Sequence, residues 1–97
     1  TGLAFAIPQG SVGLIWDKSG LAIKKGLKTM GGVIDAGYRG EIIVIVQNLS
    51  DETIVFSVGE KVAQLLIQKI ELLSPEEVSE LPESERKDAG FGSTGNY

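Results

Sequence analysis

Apolar residues in the first seventy positions fall into short runs, and turn-forming residues separate these runs. Most runs are rich in Val, Ile and Leu and end at Gly, Pro, Asn, Asp or Ser. Runs bounded in this way are typical of β-strands. Short strands at close spacing favour an antiparallel barrel or two-layer sheet over alternating strand–helix units. The predicted strands cover residues 3–7, 12–16, 21–23, 41–48, 53–58 and 61–70.

Two of these runs carry additional information. Residues 41–48 (EIIVIVQN) are apolar at both odd and even positions, which indicates a strand buried on both faces. The apolar positions of residues 61–70 also have helical spacing, so this segment is ambiguous. The strand pattern of its neighbours favours a strand there as well.

The composition changes at Ser74. Residues 74–77 (SPEE) read as the start of a helix with proline at its first position. The following segment is acidic, and residues 90–95 form a glycine-rich tail that we expect to be mobile unless something binds it. The sequence therefore predicts a β-core over residues 1–73 and an acidic linker with a C-terminal motif over residues 74–97.

Composition excludes several kinds of chemistry. The 97 residues contain no Cys and no His, which removes disulfides, thiolate or His-ligated zinc and Ser-His-Asp catalysis. A net charge of −4 argues against broad nucleic-acid binding, although a few cations could still hold one phosphorylated ligand.

Targeting signals are also missing from the sequence. No run is long enough to span a bilayer and no signal-peptide pattern occurs, so we expect a cytoplasmic protein without a membrane partner, a nuclear or viral origin remaining open. The chain begins without Met inside an apolar alternation, which suggests a fragment.

Residues 31–41 (GGVIDAGYRGE) surround one acid, Asp35, and one ring, Tyr38, with glycines. Glycine permits positive φ angles and lets a ligand approach the backbone. The stretch can form a small-molecule pocket. Taken alone, it is explained more simply as a turn that is capped by the aspartate.

Three other features offer polar groups in unusual places. A hydroxyl beside glycine amides at Ser19 and Gly20 can hold a phosphate oxygen or simply form a turn. Gln64 lies inside an apolar strand, where an unsatisfied buried amide would cost about 1–3 kcal/mol, so it needs a core partner or a ligand. Phe91 stands between glycines and before hydroxyl residues, an arrangement that suits base stacking and phosphate binding better than a disordered end.

Four segments with these features occur in order, and together they resemble the second to fifth motifs of the homotrimeric dUTPase family. Each motif is weak alone, but four in order with matching gaps are a strong signal that covers almost the whole chain. The segments are residues 17–22 (DKSGLA), 32–41 (GVIDAGYRGE), 59–65 (GEKVAQL) and 86–95 (RKDAGFGSTG).

This resemblance implies an all-β fold of the β-clip or distorted jelly-roll-like barrel type with a mobile C-terminal tail. It also implies a homotrimer that hydrolyses dUTP to dUMP and pyrophosphate with Mg²⁺. That reaction limits uracil incorporation into DNA and supplies the dTTP precursor. Active sites in such a trimer lie at subunit interfaces, and the tail of one subunit closes the site of another.

The resemblance also implies roles for individual residues. Asp35 matches the aspartate that orients or activates the attacking water, and Tyr38 matches the ring that packs under deoxyribose and excludes a 2′-hydroxyl. The implied uracil slot consists of Thr29, Gly32, Val33, Ile34 and Ile43. The implied phosphate contacts are Lys18, Ser19, Gly20, Arg86, Gly92, Ser93 and Thr94. Gln64 matches the amide of the fourth motif as a further substrate-binding residue, and Phe91 is the implied stacking residue.

The chain departs from the family pattern at three places. The first motif and its aspartate are missing, so Mg²⁺ is expected on the substrate phosphates and waters and no metal ligand is assigned. Lys18 stands where most members have arginine. Lysine keeps the positive charge but lacks the bidentate fork of arginine. Residues 87–89 (KDA) replace frequent glycines, which is expected to stiffen the C-terminal tail or to weaken its closure over the site.

The sequence leaves two alternatives open. One is a catalytically impaired dUTPase-like nucleotide-binding or structural protein, because the first motif is missing. The other is a relative of dCTP deaminase, which shares the fold and resembles residues 34–37. This second alternative is disfavoured because that branch needs a glutamate where Ile45 stands.

Overall fold

Five strands and one short helix make up the regular structure of residues 1–92, 94 and 95, which are the residues described by this computed structural model. The predominance of strands confirms the predicted all-β class. The elements in chain order are β1 (Ser11–Asp17), α1 (Ser19–Lys25), β2 (Leu27–Met30), β3 (Val33–Ile34), β4 (Ile45–Asn48) and β5 (Ala63–Lys69).

Strand β1 is the centre of the larger sheet. The sheet has the order β3-β1-β5 with antiparallel pairing throughout, so that Leu14 lies opposite both Val33 and Leu66. Strands β2 and β4 form a separate antiparallel pair, in which Thr29 lies opposite Val46. In the described part of the chain the strands thus form two open sheets and not a closed barrel.

The strand predictions for residues 12–16 and 61–70 are confirmed by β1 and β5. The prediction for residues 21–23 is wrong because these residues lie inside α1. Leu, Ala and Lys favour helix, and the helix ends at Gly26, whose φ of 65° is left-handed and whose N–H donates to the carbonyl of Ala22. An apolar triplet alone could not distinguish these two structures.

Four further predictions also differ from the structure. Residues 3–7 and 53–58 lie outside the strands, and residues 74–77 do not begin a helix. Residues 3–7 have a backbone hydrogen bond to the chain before β4, in which the Ile42 N–H donates to the Leu3 carbonyl at 2.8 Å. Strand β4 is shorter than predicted and all four of its residues are exposed, so two-sided burial of residues 41–48 does not occur within one chain.

The hydrophobic core of the single chain is small. Among the described residues, the buried hydrophobic side chains are Ile7, Val12, Leu27 and Ile42. The radius of gyration is 18.8 Å, whereas a compact domain of this length has a radius of about 13 Å. Many large apolar side chains are therefore exposed, and such surfaces are typical of proteins that associate.

The described residues include no helix with the length and apolar character needed to cross a membrane.

Candidate active site

Three strands meet at Asp17, the last residue of β1. One carboxylate oxygen, Oδ1, accepts hydrogen bonds from the Thr29 amide at 2.7 Å and the Thr29 hydroxyl at 2.8 Å. The other, Oδ2, accepts from Lys28 Nζ at 2.8 Å. The Asp17 backbone carbonyl accepts a hydrogen bond from Gln64 Nε2 at 2.7 Å. This one residue therefore links β1 to both β2 and β5.

These donors lower the pKa of the Asp17 carboxyl from 3.8 to about 2. The hydrogen bond from the Lys28 side chain is the largest cause, followed by the bonds from the Thr29 amide and hydroxyl, while partial burial opposes them. Each donor stabilises the charged form of the acid. Asp17 is thus a carboxylate at any pH near neutrality.

Sequence reasoning did not identify Asp17 as a functional candidate. The sequence does show that Asp17 lies directly after an apolar strand and before the Lys18–Ser19–Gly20 segment. The partners that make it a junction come from β2 and β5, and no local pattern reports such long-range hydrogen bonds.

Thr29, a residue of the implied uracil slot, is only 7% exposed. The Asp17 carboxylate accepts hydrogen bonds from both the Thr29 amide and the Thr29 hydroxyl. A ligand could therefore meet Thr29 only through an acceptor atom, such as the hydroxyl lone pairs or the carbonyl oxygen.

A cavity of about 250 Å³ lies between the end of β1 and the chain that connects β2 to β3. The backbone comes close here, since the Ile15 N–H donates to the Gly32 carbonyl at 2.7 Å. A Cβ atom on Gly32 would lie 2.5 Å from the Ile15 carbonyl oxygen, so only glycine fits. Residues of the implied uracil slot and of the Asp17 junction line this cavity together: Ile15, Trp16, Asp17, Thr29, Gly32 and Val33.

The hairpin after β3 presents Asp35 and Tyr38 to the surface, and both are exposed. The Tyr38 N–H donates to the Asp35 carbonyl at 3.1 Å, which closes the turn. The Tyr38 hydroxyl donates to the Glu41 carbonyl at 2.8 Å, and the ring lies directly over Gly40. Ile43, further along the hairpin, is 65% exposed.

Asp35 borders a second cavity, of about 280 Å³, that is separate from the first. Gln9, Ser11, Gly37 and Ile70 also line it. Asp35 thus lies near the start of β1, whereas the implied phosphate contacts Lys18, Ser19 and Gly20 follow the end of that strand.

The implied phosphate contacts Lys18, Ser19 and Gly20 and the side chain of Gln64 come together in the structure. Ser19 and Gly20 are exposed, and Gln64 reaches this segment through its hydrogen bond to the Asp17 carbonyl. The amide that sequence analysis placed in an apolar strand therefore has a partner. Gln64 is exposed and not buried, because most residues of β5 are exposed in one chain.

Asp35 and Lys18 lie toward opposite ends of β1. Asp35 follows Ile34, which pairs with Gly13, whereas Lys18 follows Asp17 at the other end. Val12, the residue level with Asp35, is six positions from Lys18, which is about 20 Å along an extended strand. One chain therefore does not bring the candidate catalytic acid to the candidate phosphate contacts.

The C-terminal segment is exposed throughout its described residues. The Arg86 side chain donates to the Ala89 carbonyl at 3.0 Å, and Phe91 is fully exposed, as are Gly92 and Thr94. Lys87 has a φ of 51°, a left-handed conformation that glycine adopts more easily. Ser93 lies outside the described residues.

Comparison with known proteins identifies the family. Residues 1–95 match the model of the dUTPase family. The deoxyuridine 5′-triphosphate nucleotidohydrolase of Corynebacterium glutamicum is 51% identical over 98 residues, a match that covers 98% of this chain and 66% of that protein. The chain thus belongs to the dUTPase family and spans about two thirds of the length of this curated relative.

Solved structures give the same assignment. A mutant dUTPase of Staphylococcus bacteriophage 80alpha, solved with dUpNHpp, is similar with a TM-score of 0.81 and 31% identity, over 95% of this chain and 71% of that one. A mutant dUTPase from phage phi11 of S. aureus, described with a structural Mg(II) ion, has a TM-score of 0.67 and 30% identity, over 79% and 67% of the two chains. These similarities confirm the fold class expected from the sequence.

Proposed function

We propose that the protein hydrolyses dUTP to dUMP and pyrophosphate and so limits uracil incorporation into DNA. The observation that carries this proposal is the match to the dUTPase family over residues 1–95, which includes all four motif segments. The exposed Asp35 hairpin supports it because a catalytic carboxylate must be reachable by water and substrate.

Asp35 is the proposed catalytic residue. Its carboxylate accepts a proton from a water molecule while the water oxygen attacks the α-phosphorus of dUTP. The bond from that phosphorus to the bridging oxygen breaks, and its electron pair leaves with pyrophosphate. Such a base must come within about 2.6–3.2 Å of the water. Phosphoryl transfer otherwise depends mainly on positioning and charge neutralisation.

The base and sugar are proposed to bind along the hairpin. Backbone groups of Gly32, Val33 and Ile34 would read the uracil edge, with Ile43 covering the slot and Tyr38 packing under the deoxyribose. The hydrogen bond from the Tyr38 hydroxyl to Glu41 supports this role because it fixes the ring over the turn. Thr29 would contribute only through acceptor atoms or by shaping the slot.

The phosphates are proposed to bind a different part of the chain. Lys18, Ser19 and Gly20 with Gln64 offer a cation, a hydroxyl and amides at the end of β1. From the C-terminal segment, Arg86 would bind the terminal phosphate and Phe91 would stack on uracil. Gly92, Ser93 and Thr94 would wrap the phosphates.

A complete site is proposed to form between copies of the chain in a homotrimer, with the tail of one copy covering the site of another. The separation of about 20 Å between the Asp35 end and the Lys18 end of β1 supports this arrangement. The exposed apolar side chains supply a surface for such assembly. A cytoplasmic location stays a prediction, which the bacterial origin of the relative supports.

Mg²⁺ is the proposed cofactor, and the mutant dUTPase from phage phi11 is described with a structural Mg(II) ion. Among the described residues, no three His, Cys, Asp or Glu side chains form a group that could hold a metal ion. Carboxylates and phosphates are both suitable Mg²⁺ ligands, and the ion commonly keeps several waters. When bound, the ion would be held by the substrate phosphates and by waters, and it would supply neutralisation of the phosphate charge.

Pyrophosphate release from dUTP, dCTP and UTP tests the proposal. Because this chain spans about two thirds of the C. glutamicum relative, the assay uses the chain alone and the chain joined to the unmatched part of that relative. Asp35→Asn should abolish dUTP hydrolysis and leave nucleotide binding nearly unchanged, whereas the exposed control Asp51→Asn should keep full activity.

Several outcomes would contradict this proposal. No hydrolysis of dUTP by either form would leave the nucleotide-binding alternative, provided that dUTP still binds. Ammonia release from dCTP would favour the deaminase alternative, which Ile45 on strand β4 argues against. An unchanged rate in Asp35→Asn would assign that acid a purely structural role.

A further inference from the structure

Lys18, Ser19 and Gly20 form the phosphate segment. Asp17 precedes it, and the carboxylate of Asp17 is held by Thr29 and Lys28 of β2. We propose that Asp17 is a positioning residue that fixes the phosphate segment relative to the sheet. The inference rests on the proposed dUTP hydrolysis and adds to it a residue that none of the four motif roles includes.

The hydrogen bonds of Asp17 come from two different strands, β2 and β5. The side chain joins β1 to β2, and the backbone carbonyl joins it to Gln64 on β5, itself a proposed phosphate contact. The position of the phosphate segment and the position of Gln64 therefore depend on the same residue. A shift of Asp17 would move both groups relative to a bound phosphate chain.

The base slot depends on the Asp17 carboxylate at one residue, Thr29, whereas the backbone around that slot has hydrogen bonds of its own. Strand β2 is held by its pairing with β4, from Leu27 opposite Asn48 to Met30 opposite Ile45. The carbonyl of Gly32 is fixed by the Ile15 N–H. The slot thus has its own backbone hydrogen bonds, whereas the phosphate segment follows directly from residue 17.

Asp17 is suited to act through its neighbours and not by touching phosphate itself. Its charge would repel a phosphate oxygen, and three donors already occupy its two carboxylate oxygens. Lys28 balances the charge at 2.8 Å, so the junction adds no net negative charge beside the segment.

Competitive inhibition of dUTP hydrolysis by two ligands tests this role. Inorganic pyrophosphate probes the phosphate segment, and deoxyuridine probes the base slot. In Asp17→Ala we expect the inhibition constant of pyrophosphate to rise about tenfold or more, as for a lost hydrogen bond to a charged group, and that of deoxyuridine to stay within about threefold. Asp17→Asn keeps an acceptor for Thr29 and should fall between the wild type and Asp17→Ala.

The exposed control Asp51→Ala should leave both constants unchanged. A role in overall stability would lower the amount of active protein, which alters the maximal rate and not the inhibition constants. Thermal unfolding of each variant at one concentration records that loss separately.

Three results would overturn the inference. They are a wild-type pyrophosphate constant in Asp17→Ala, an equal rise for both ligands, and failure of both Asp17 variants to fold. If the wild type itself does not hydrolyse dUTP, the proposed function fails and this role fails with it. An active wild type with unaffected Asp17 variants rejects the role alone.

Discussion

Replacement of Gly32 by alanine should destabilise the fold because the chain is packed tightly at that residue. The added Cβ would lie 2.5 Å from the Ile15 carbonyl oxygen, 3.2 Å from the Ile15 Cβ and 3.3 Å from the Ile15 carbonyl carbon. Two of these atoms belong to the backbone of the central strand, so relief requires β1 and the chain before β3 to separate. Overpacking of this kind costs about 1–3 kcal/mol.

Gly37 provides a matched control in the same hairpin. A Cβ there would meet no atom within 4 Å, and its φ lies outside the left-handed region. Alanine at such a position reduces the entropy of the unfolded chain and stabilises by about 0.4–1 kcal/mol. The two Gly→Ala substitutions should therefore change the free energy of unfolding in opposite directions.

Urea unfolding measures this difference. Trp16, the single tryptophan, lines the cavity beside Gly32 and reports unfolding by fluorescence, with far-ultraviolet circular dichroism as a second probe. All proteins are compared at one concentration, because assembly makes stability concentration-dependent. Each kcal/mol should shift Tm by about 4–8 °C in a domain of this size. A Gly32→Ala protein within about 0.5 kcal/mol of Gly37→Ala would refute the packing argument.

Three further outcomes are expected. Because the pKa of Asp17 is lowered to about 2, its contribution to stability is complete above the unfolded pKa of about 3.9 and disappears as the pH falls through about 2. An NMR titration of the Asp17 carboxyl carbon should show a midpoint at about 2. A midpoint of about 3.9 would contradict the observed hydrogen bonds. Lys28→Met should raise the Asp17 midpoint, since it removes the largest cause of the shift. Phe91→Ala should weaken nucleotide binding by about 1–3 kcal/mol in titration calorimetry if the ring stacks on uracil, and unchanged affinity would exclude stacking.

The sequence predicted correctly the two strands β1 and β5. Each is an apolar run that lies between turn-forming residues, and the two strands pair with each other along their whole length. The apolar triplet Leu21, Ala22 and Ile23 predicts a strand, and the sequence prediction therefore misses α1. The helix-forming residues and the left-handed Gly26 after them were the signals that could have found it.

The candidate site was predictable only in its local parts. The motif segments located the Asp35 hairpin and the phosphate segment, since their spacing is a property of the sequence. The junction at Asp17 was not predictable, because it depends on where β2 and β5 lie relative to β1. The exposure of β4 was also not predicted. A run that is apolar at both odd and even positions predicts burial, but it does not show whether the same chain or another copy provides the covering surface.

The distance between the two ends of β1 has a genetic consequence. If a complete site takes its Asp35 from one copy and its phosphate segment from another, each chain serves two different sites with two different ends. A chain lacking Asp35 and a chain lacking the Ser19 hydroxyl would then be inactive alone, yet mixed assemblies of the two would contain some sites built only from intact ends. Two defective alleles could thus complement each other within one protein, and the recovered activity would depend on the ratio in which they are expressed.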